Sequence, residues 1–392
     1  MTWPTKKLGN KKYFEILGSG INKFEGEKEY LSTSSIGNNE IIMPECKITY
    51  NQKPSRANMQ PRLNSVWFAK MKNTIKVYSF TQENKNEINQ YILSTGFVGI
   101  LCNTEKVSPK YLEKIFLSNW FNKQKDEITH GSTQKAINNK DLANLEIPLP
   151  PLSIQQKIVE ILDTIQEGVK TQEKIIEKTK ELKKAMMQEI FNPTIKNQKS
   201  KIQFKIQKWE YLKKIANIIM GQSPPSQFYN TKKDGLSFLQ GKAEFGEKFP
   251  SPKKWCTRPI KIARKGDILI SVRAPVGDVN LADQNYCIGR GLAAIKPNHN
   301  LDNFYLFEYL QISKEKLVNK SSGSTFKAID KETLGNFKVP IMSINQQREI
   351  AEILQTIDEK IEVEEKKKAL YEELFKTMLN KLMSGEIDVE KF

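Results

Sequence analysis

The sequence predicts an α+β protein in which two globular domains are joined by two long helices that form an antiparallel coiled coil, with a pseudo-twofold internal repeat. Three observations predict this fold. A stretch near residue 131 recurs near residue 323, a helical pattern follows each copy, and strand-like runs fill the sequence before each copy. At 392 residues the chain also exceeds the usual size of one compact domain.

The internal repeat is ungapped. Residues 131–165 match residues 323–357 at 16 of 35 positions, with a constant offset of 192. A period this long indicates two large halves and excludes a solenoid of short repeats. Each copy begins with Gly-Ser-Thr, which lacks the full Walker pattern of a phosphate-binding loop. We interpret this tripeptide as a scaffold turn, with Asn138 or Asp330 capping a short following helix.

Each copy of the repeat leads into a helical pattern with isoleucines three and four residues apart on one stripe. Such a stripe needs an apolar partner, and the chain supplies one in the other helix. The two helices are therefore predicted to pair antiparallel, with one globular domain at each end. Packing of each helix on its own globular domain alone is the alternative that the pattern leaves open.

The helix ends have local signals. Ser153 with Gln156 and Ser343 with Gln346 each match a capping box. The two boxes differ by two residues in the repeat register, so one start is misassigned. Pro193 is expected to end the first helix, and Ser384-Gly385 the second. The predicted segments are a first globular domain (1–150), a first helix (151–192), a linker (193–208), a second globular domain (209–342), a second helix (343–385) and a tail (386–392).

Strand-like runs separated by Gly, Pro and Asn clusters make both globular domains mixed α+β. In the first domain the runs are CKITY, SVWFAKM, TIKVYSF and FVGILC, and in the second they are LSFLQG, DILISV and GLAAIKP. Beyond an opening Trp followed by Lys-Lys, the two domains share no sequence register. The helical scaffold is therefore expected to be duplicated while the globular parts differ.

The net charge of +17 and the pI near 9.4 favour a polyanionic partner, foremost nucleic acid. Residues 1–150 carry +7 and residues 201–340 carry +12, whereas the helical parts 151–200 and 341–392 carry +2 and −4. The excess positive charge thus belongs to the globular domains. A basic surface that serves solubility alone is the other interpretation.

Other classes of protein find little support. The N-terminus has no apolar core of a signal peptide, and no run of about 18 apolar residues is present, so we expect a cytoplasmic protein. The four cysteines lie far apart without a C-x-x-C pair, which favours buried reduced thiols over a metal site.

The repeat, GSTQKAINNKDLANLEIPLPPLSIQQKIVEILD with its second copy, and the alternation of variable domain and long helix resemble the specificity subunit of type I restriction–modification systems. The resemblance covers essentially the whole chain, and GQSPPSQFYN, FLQGKAEF and RKGDILISVRAPVGDVN resemble one class of target recognition domain. The second copy departs from the pattern in having VPIMSI where the first has IPLPPL.

The resemblance implies a subunit without catalysis that binds double-stranded DNA through two target recognition domains. It also implies partner methyltransferase subunits, two in number, and restriction subunits, which would hold S-adenosylmethionine and ATP, while this chain would hold no cofactor or metal. The helices would form the spacer and the docking site for the methyltransferase subunits. The repeated residues on them are Gln155, Ile158, Ile161, Ile165, Gln347, Ile350, Ile353 and Ile357.

DNA sequence is read by side chains that match base edges, with Arg suited to guanine and Asn or Gln to adenine. Such residues cluster in predicted loops of both globular domains. The candidates in the first domain are Lys53, Ser55, Arg56, Asn58 and Arg62, with Gln52 and Gln60 beside them. The candidates in the second are Gln222, Ser223, Ser226, Tyr229, Gln240, Lys242, Arg273 and Arg290, with Gln227 and Asn230 nearby. An ordinary polar hairpin in the first domain, and a structural carboxylate partner for each arginine in the second, are the other interpretations.

Because the two globular domains differ, the expected DNA target is asymmetric, with two half-sites separated by unread base pairs. Two alternatives remain. The chain could itself be a DNA methyltransferase or nuclease, although Asn192-Pro193-Thr194-Ile195 is not the tetrapeptide [DNS]-P-P-[FYW] of adenine methyltransferases. It could also be a coiled-coil adaptor that binds protein only, in which case any DNA affinity would lack a steep salt dependence.

Overall fold

A computed structural model of the chain describes residues 3–37, 39–130, 135–191, 204–320, 328–387 and 389. The chain divides into two compact units, one formed by Met1–Glu173 with Lys366–Phe392 and the other by Lys174–Glu365. Each unit thus contains one globular domain and one part of each long helix. The two Gly-Ser-Thr turns and the helix end expected at Pro193 lie outside the described residues.

The described residues of the first globular domain form ten strands and three α-helices, and the first long helix follows them. The elements are β1 (Thr5–Lys7), β2 (Phe14–Ile16), β3 (Lys28–Leu31), β4 (Cys46–Ile48), β5 (Ala57–Met59), β6 (Ser65–Ala69), β7 (Val77–Phe80), β8 (Tyr91–Ser94), β9 (Phe97–Cys102), α1 (Pro109–Leu117), α2 (Asn119–Glu127), α3 (Asn139–Asn144), β10 (Glu146–Pro148) and α4 (Leu152–Phe191). An antiparallel sheet has the order β2-β9-β6-β7, and a second sheet, β4-β3-β8-β5, is parallel only at β3-β8. A ribbon pairs β1 with β10.

In the part of the second globular domain that the structure describes there are eleven strands and four α-helices, and the second long helix follows them. The elements are β11 (Lys208–Tyr211), α5 (Leu212–Ile215), β12 (Ala216–Met220), β13 (Tyr229–Asn230), β14 (Leu236–Leu239), β15 (Lys254–Cys256), β16 (Ile262–Ala263), β17 (Ile268–Ser271), β18 (Val279–Leu281), β19 (Tyr286–Ile288), β20 (Leu292–Pro297), α6 (Asn303–Ile312), α7 (Lys314–Asn319), α8 (Lys331–Gly335), β21 (Lys338–Ile341) and α9 (Ile344–Ser384). The sheets have the orders β12-β20-β17-β18 and β13-β15-β14-β19-β16, and β14-β19 is the parallel pair. A ribbon pairs β11 with β21.

The two globular domains therefore share one topology. Taken in chain order, β2, β3, β4, β5, β6, β7, β8 and β9 occupy the places of β12, β14, β15, β16, β17, β18, β19 and β20, down to the single parallel pair. Only β13 has no counterpart among the described strands of the first domain. The two globular domains thus differ in sequence, as expected, while they share one fold. Strand pairing depends on apolar alternation and turn placement, which many sequences satisfy.

The local predictions within the domains are confirmed. Each of the seven strand-like runs contains a strand, and β9 coincides with the run FVGILC. One face of this strand packs in the main core of the unit and the other packs in a second apolar cluster, so both faces are buried and the sequence is an apolar run. Gly99 in this strand is required by packing, since a Cβ atom there would lie 2.6 Å from the Trp67 ring. Asn138 and Asp330 cap α3 and α8, as expected.

The second helix begins and ends as predicted. Gln346 N–H donates to Ser343 Oγ at 3.3 Å, and the chain leaves the helix at Gly385 with φ of 74°. The capping box assigned to Ser153 is wrong, because α4 begins at Leu152 and Ser153 already lies inside the helix. Pro151 precedes the first helix as Ser343 precedes the second, so the helix starts agree in the repeat register while the capping residues differ.

The long helices α4 and α9 pack antiparallel in each unit. In the first unit a Cβ atom on Gly168 would lie 3.0 Å from the Tyr371 ring, and Lys368 Nζ lies 2.8 Å from a Glu173 carboxylate oxygen. In the second unit two further cross-helix ion pairs follow the same direction, with higher α4 numbers facing lower α9 numbers. They are Lys180–Glu365 and Lys183–Asp358, both at 2.6 Å. The antiparallel pairing predicted from the isoleucine stripes is confirmed.

Each unit has its own main apolar core. In the first unit the core joins the β2-β9-β6-β7 sheet and α1 to the start of α4 and to Leu379, Leu382 and Met383 of α9. In the second unit it joins the β12-β20-β17-β18 sheet and α6 to Met187, Ile190 and Phe191 of α4 and to the start of α9. The globular domains are thus packed directly on the helix pair, which fixes the orientation of their loops relative to the adjoining helix segments.

Candidate nucleic-acid interface

Three loops of the second globular domain meet around one serine hydroxyl. Ser223 lies after β12, Gln240 follows β14, and Arg290 lies between β19 and β20. Ser223 Oγ accepts a hydrogen bond from Gln240 Nε2 at 3.1 Å and another from the Arg290 main-chain N–H at 3.2 Å. Three sequence-predicted residues separated by up to 67 positions are therefore brought together, and we call Ser223, Gln240 and Arg290 the polar cluster.

The main chain around the polar cluster is closely packed. A Cβ atom on Gly291 would lie 2.5 Å from Gln240 O, and one on Gly221 would lie 2.2 Å from Gly289 O. Only glycine fits such approaches, so the glycines that flank Arg290 serve loop packing. The Glu244 carboxylate also accepts hydrogen bonds from the main-chain N–H groups of Gln240 and Gly241, at 3.2 and 3.0 Å.

Tyr229 lies beside the polar cluster. Its hydroxyl donates to Pro224 O at 2.5 Å, and its ring stacks on Phe238 with centroids 4.5 Å apart. Burial raises the pKa of Tyr229, and the nearby Arg290 charge opposes that rise. At neutral pH the phenol therefore stays protonated, keeps its bond to Pro224 O and can still accept a hydrogen bond at the edge of the cluster.

The other predicted residues of the second domain lie in different surroundings. Lys242 Nζ lies 3.0 Å from Asp278, which also pairs with Lys314, so the two lysines share one carboxylate and the Lys242 charge is only partly neutralised. Gln222 and Ser226 are exposed on the loop after β12, and Arg273 is exposed after β17. Within the described residues neither Arg273 nor Arg290 forms an ion pair, so the structural carboxylate partner considered for each is not found there.

The first domain presents its predicted residues on both sides of strand β5. Lys53 Nζ donates to Ala57 O at 3.0 Å, and Arg62 lies 3.5 Å from Glu15. Ser55 and Arg56 are exposed just before β5, and Arg56 forms no ion pair within the described residues. The segment predicted as one loop therefore contains a short strand that carries Asn58. Arg56 is the residue of this group with the most freely available charge.

The repeated glutamines predicted on the helices lie inside the protein. Gln155 is completely buried, with Nε2 donating to Lys106 O at 3.0 Å and to Pro150 O at 2.8 Å, while Oε1 accepts from Ser108 N–H at 2.9 Å. The same three bonds recur at Gln347, with Asn300 O, Met342 O and Asp302 N–H as partners. Each glutamine ties the start of its helix to the loop before α1 or α6.

The six repeated isoleucines also face inward. Ile158 and Ile350 are completely buried, and the other four are buried or partly buried. These side chains belong to the packing of their own unit, as a spacer role requires. Ile158 and Ile350 have no exposed surface and cannot contact another subunit, whereas Ile161, Ile353 and Ile357 are partly exposed, so docking through these three stays a prediction.

Two ionic networks, each with one buried member, were not predicted from the sequence because their residues are far apart in the chain. In the first unit Lys114 of α1, 2% exposed, lies 2.6 Å from Asp163 of α4. In the second unit Lys183 of α4 lies 3.0 Å from Glu308 of α6 and 2.6 Å from Asp358 of α9. Each network joins a globular domain to the helices. The apolar context of the α6 sequence, NFYLFEYLQI, was the available signal for a buried Glu308.

Of the four cysteines, Cys102, Cys256 and Cys287 are buried free thiols, and Cys46 is exposed, contrary to the expectation that all four are buried. Among the described residues no group of three His, Cys, Asp or Glu side chains is placed to hold a metal ion. The same part of the chain has no helix apolar enough to span a bilayer.

Comparison with known proteins gives one consistent result. The family model described as "Type I restriction modification DNA specificity domain" matches residues 7–181 and 258–373. A curated relative, the putative type I restriction enzyme MjaX specificity subunit of Methanocaldococcus jannaschii, is 41% identical over 301 residues, which cover 74% of this chain and 70% of the relative.

Two solved structures match nearly the whole chain. One, described under "complex assembly and conformational transition of the type I R-M system", has a TM-score of 0.71 at 31% identity and covers 98% of both chains. The HsdS subunit from Thermoanaerobacter tengcongensis has a TM-score of 0.54 at 30% identity and covers 98% of this chain and 97% of its own.

Proposed function

Because the chain belongs to the type I restriction–modification DNA specificity family and is a DNA-recognition subunit of that kind, we propose that its two globular domains read the two halves of an asymmetric DNA target. The excess positive charge of both domains supports binding to the phosphate backbone. Base edges would be read by the loops that carry the predicted residues, because loop side chains can enter a groove.

The observation that carries this proposal is the difference between equivalent loop positions. In the parallel pair of the first domain Leu31 lies opposite Leu93, and in that of the second domain Leu239 lies opposite Ile288. Position 31 therefore corresponds to position 239, and position 93 to position 288. The positions of Gln240 and Arg290 are therefore occupied in the first domain by Ser32 and Thr95. One fold presents a long amide and a guanidinium in one copy and two short hydroxyls in the other. Two half-sites of different sequence follow from this difference.

The test is to sequence methylated adenines in cells that carry the chain and in cells from which its gene is deleted. The expected result is a bipartite motif, two short unlike blocks separated by unspecified bases, that disappears on deletion. A methylation pattern that is unchanged by deletion would contradict the proposal. A symmetric motif would contradict its asymmetric part only.

We also propose that the chain itself is non-catalytic and that S-adenosylmethionine and ATP bind to partner subunits. The segment Ser223-Pro224-Pro225-Ser226 starts like the adenine methyltransferase tetrapeptide but ends in Ser where an aromatic residue is required. Calorimetric titration of the full chain with S-adenosylmethionine should give no binding. Methylation of DNA by the purified chain alone would overturn this part.

The proposed partners are double-stranded DNA, two methyltransferase subunits and restriction subunits. The internal repeat supports the number two, since two units of one topology offer two similar surfaces. Native mass spectrometry of the chain with its methyltransferase subunit should show one copy of the chain with two of the partner. A saturated complex with a single methyltransferase subunit would contradict the proposed number.

A further inference from the structure

We propose that Gln240 and Arg290 are the base-reading side chains of the second globular domain, that Gln240 reads an adenine and Arg290 a guanine, and that Ser223 is the residue that positions Gln240. This inference rests on the proposed DNA-reading function and names the chemistry of one half-site. It is drawn from the hydrogen bonds of the polar cluster and from the packing of its glycines.

The first step concerns the Gln240 side chain. Its Nε2 donates one hydrogen to Ser223 Oγ at 3.1 Å, and the residue is exposed. This bond leaves one N–H and the carbonyl oxygen of the amide without a donor or acceptor partner in the described structure, apart from a long 3.4 Å contact to the same hydroxyl. A free N–H beside a free C=O is the pair that contacts N7 and N6 of adenine in the major groove.

The main chain of Gln240 is held on both sides. Gln240 has its main-chain N–H bound to Glu244, and its main-chain carbonyl accepts from Gly291 N–H at 3.2 Å. A Cβ atom on Gly289 would lie 3.2 Å from Gln240 Oε1, so the absence of a side chain at this glycine leaves room for the amide. A side chain that is already oriented loses little entropy when it binds a base, and small errors in its position would cost discrimination.

The third step places Arg290 beside Gln240. The Arg290 main-chain nitrogen and Gln240 Nε2 both lie within 3.2 Å of Ser223 Oγ. The rise between successive base pairs is about 3.4 Å, and both side chains leave the same cluster, so they can reach base pairs close to one another in the target. The Arg290 side chain is exposed and unpaired within the described residues, which leaves its two parallel N–H groups available for guanine O6 and N7.

The equivalent positions of the first domain supply a well-matched variant. Ser32 and Thr95 stand where Gln240 and Arg290 stand, in the same topology, so the double substitution Gln240→Ser with Arg290→Thr introduces residues that this fold already accommodates. Gln311→Ala is the control, because Gln311 is an exposed glutamine of α6 in the same globular domain and lies outside the candidate loops.

The experiment selects DNA from a pool of random-sequence duplexes with the full-length chain in complex with its methyltransferase subunit. Sequencing then gives the base preference at each target position. For Gln240→Ala we expect the preference for adenine at one position of one half-site to fall about 5- to 150-fold, the equivalent of one bidentate contact. Arg290→Ala should have the same effect on one guanine. Ser223→Ala should weaken the same adenine preference as Gln240→Ala, and by less.

Gln240→Glu keeps the size of the side chain but replaces the free N–H with an acceptor, so the preferred base at that position should change from adenine to cytosine. The double variant should lose both preferences while the other half-site is unchanged. An unaltered motif in Gln240→Ala or Gln240→Glu would overturn the inference. So would an equal loss at every position of the half-site in Gln240→Glu and the double variant, since this would mean a structural role.

The failure of the underlying function is recognised separately. If the wild-type complex selects no sequence, the proposed DNA-reading function fails, and the base-reading roles fail with it. If the wild-type complex and the Gln311→Ala control select a bipartite motif and the cluster variants select the same one, the assignment of Gln240 and Arg290 alone is wrong.

Discussion

Replacing Gln155 with methionine should lower the free energy of local unfolding of the first unit by about 3 kcal/mol. Methionine has a similar length but no polar atoms, so three main-chain groups that now pair with the amide, those of Lys106, Ser108 and Pro150, would lose their partner. A hydrogen bond contributes about 1 kcal/mol net, and a buried group left unpaired costs about 1–3 kcal/mol. Partial access of water to the loop near Lys106 keeps the total toward the lower end.

The assay is hydrogen exchange of the full-length chain, followed by mass spectrometry of peptides from each unit. A local measurement is needed because two compact units need not unfold in a single two-state transition. Amides of β10 and of the segment before α1 should exchange about 100-fold faster, since each 1.4 kcal/mol corresponds to a factor of ten. Exchange in peptides of the second unit should be unchanged.

The matched control is Gln156→Met, since Gln156 is exposed and adjacent in the same helix. Gln347→Met should give the mirrored result, with loosening confined to the second unit. If Gln155→Met and Gln156→Met change protection in the first unit by amounts within about 0.5 kcal/mol of each other, the reasoning that a buried glutamine locks the helix to its domain is refuted.

Three further outcomes are expected. Burial raises the pKa of Glu308 from 4.5 to about 7, so the second unit should lose stability as pH rises through this range, because the unfolded chain releases the proton first. In urea titrations at pH 5 and 8, Glu308→Gln should reduce this loss of stability, and a loss equal to that of the wild type would contradict the role of Glu308. The logarithm of DNA affinity should fall linearly with the logarithm of salt concentration, with a slope several units steep, and a flat response in a binding titration would favour the protein-only adaptor. Inserting four residues at matched positions in α4 and α9 adds about 6 Å to each helix and should lengthen the unread spacer of the methylation motif by about two base pairs; a folded, active insertion variant that keeps the original motif would contradict the spacer role.

The sequence by itself determined the features that depend on local patterns. The ungapped repeat, the isoleucine stripes and the strand-like runs predicted the long helices, their antiparallel pairing and seven of the strands. Capping by Asn138, Asp330 and Ser343 was also readable, since a helix cap involves residues only three positions apart. Ser153 failed because its capping pattern occurs one residue inside a helix, where the same residues make no cap.

Only the tertiary structure decided which distant residues meet. The common topology of the two domains was hidden because pairing constrains the apolar pattern and leaves the identity of side chains free. The roles of Gln155 and Gln347 depend on main-chain groups up to 49 residues away, which no periodicity encodes. The candidate list for DNA contact contained Ser223, Gln240 and Arg290 as separate loop residues. Their convergence on one hydroxyl follows from the strand order. Strands β14 and β19 are neighbours in the sheet, although 46 residues lie between the end of β14 and the start of β19.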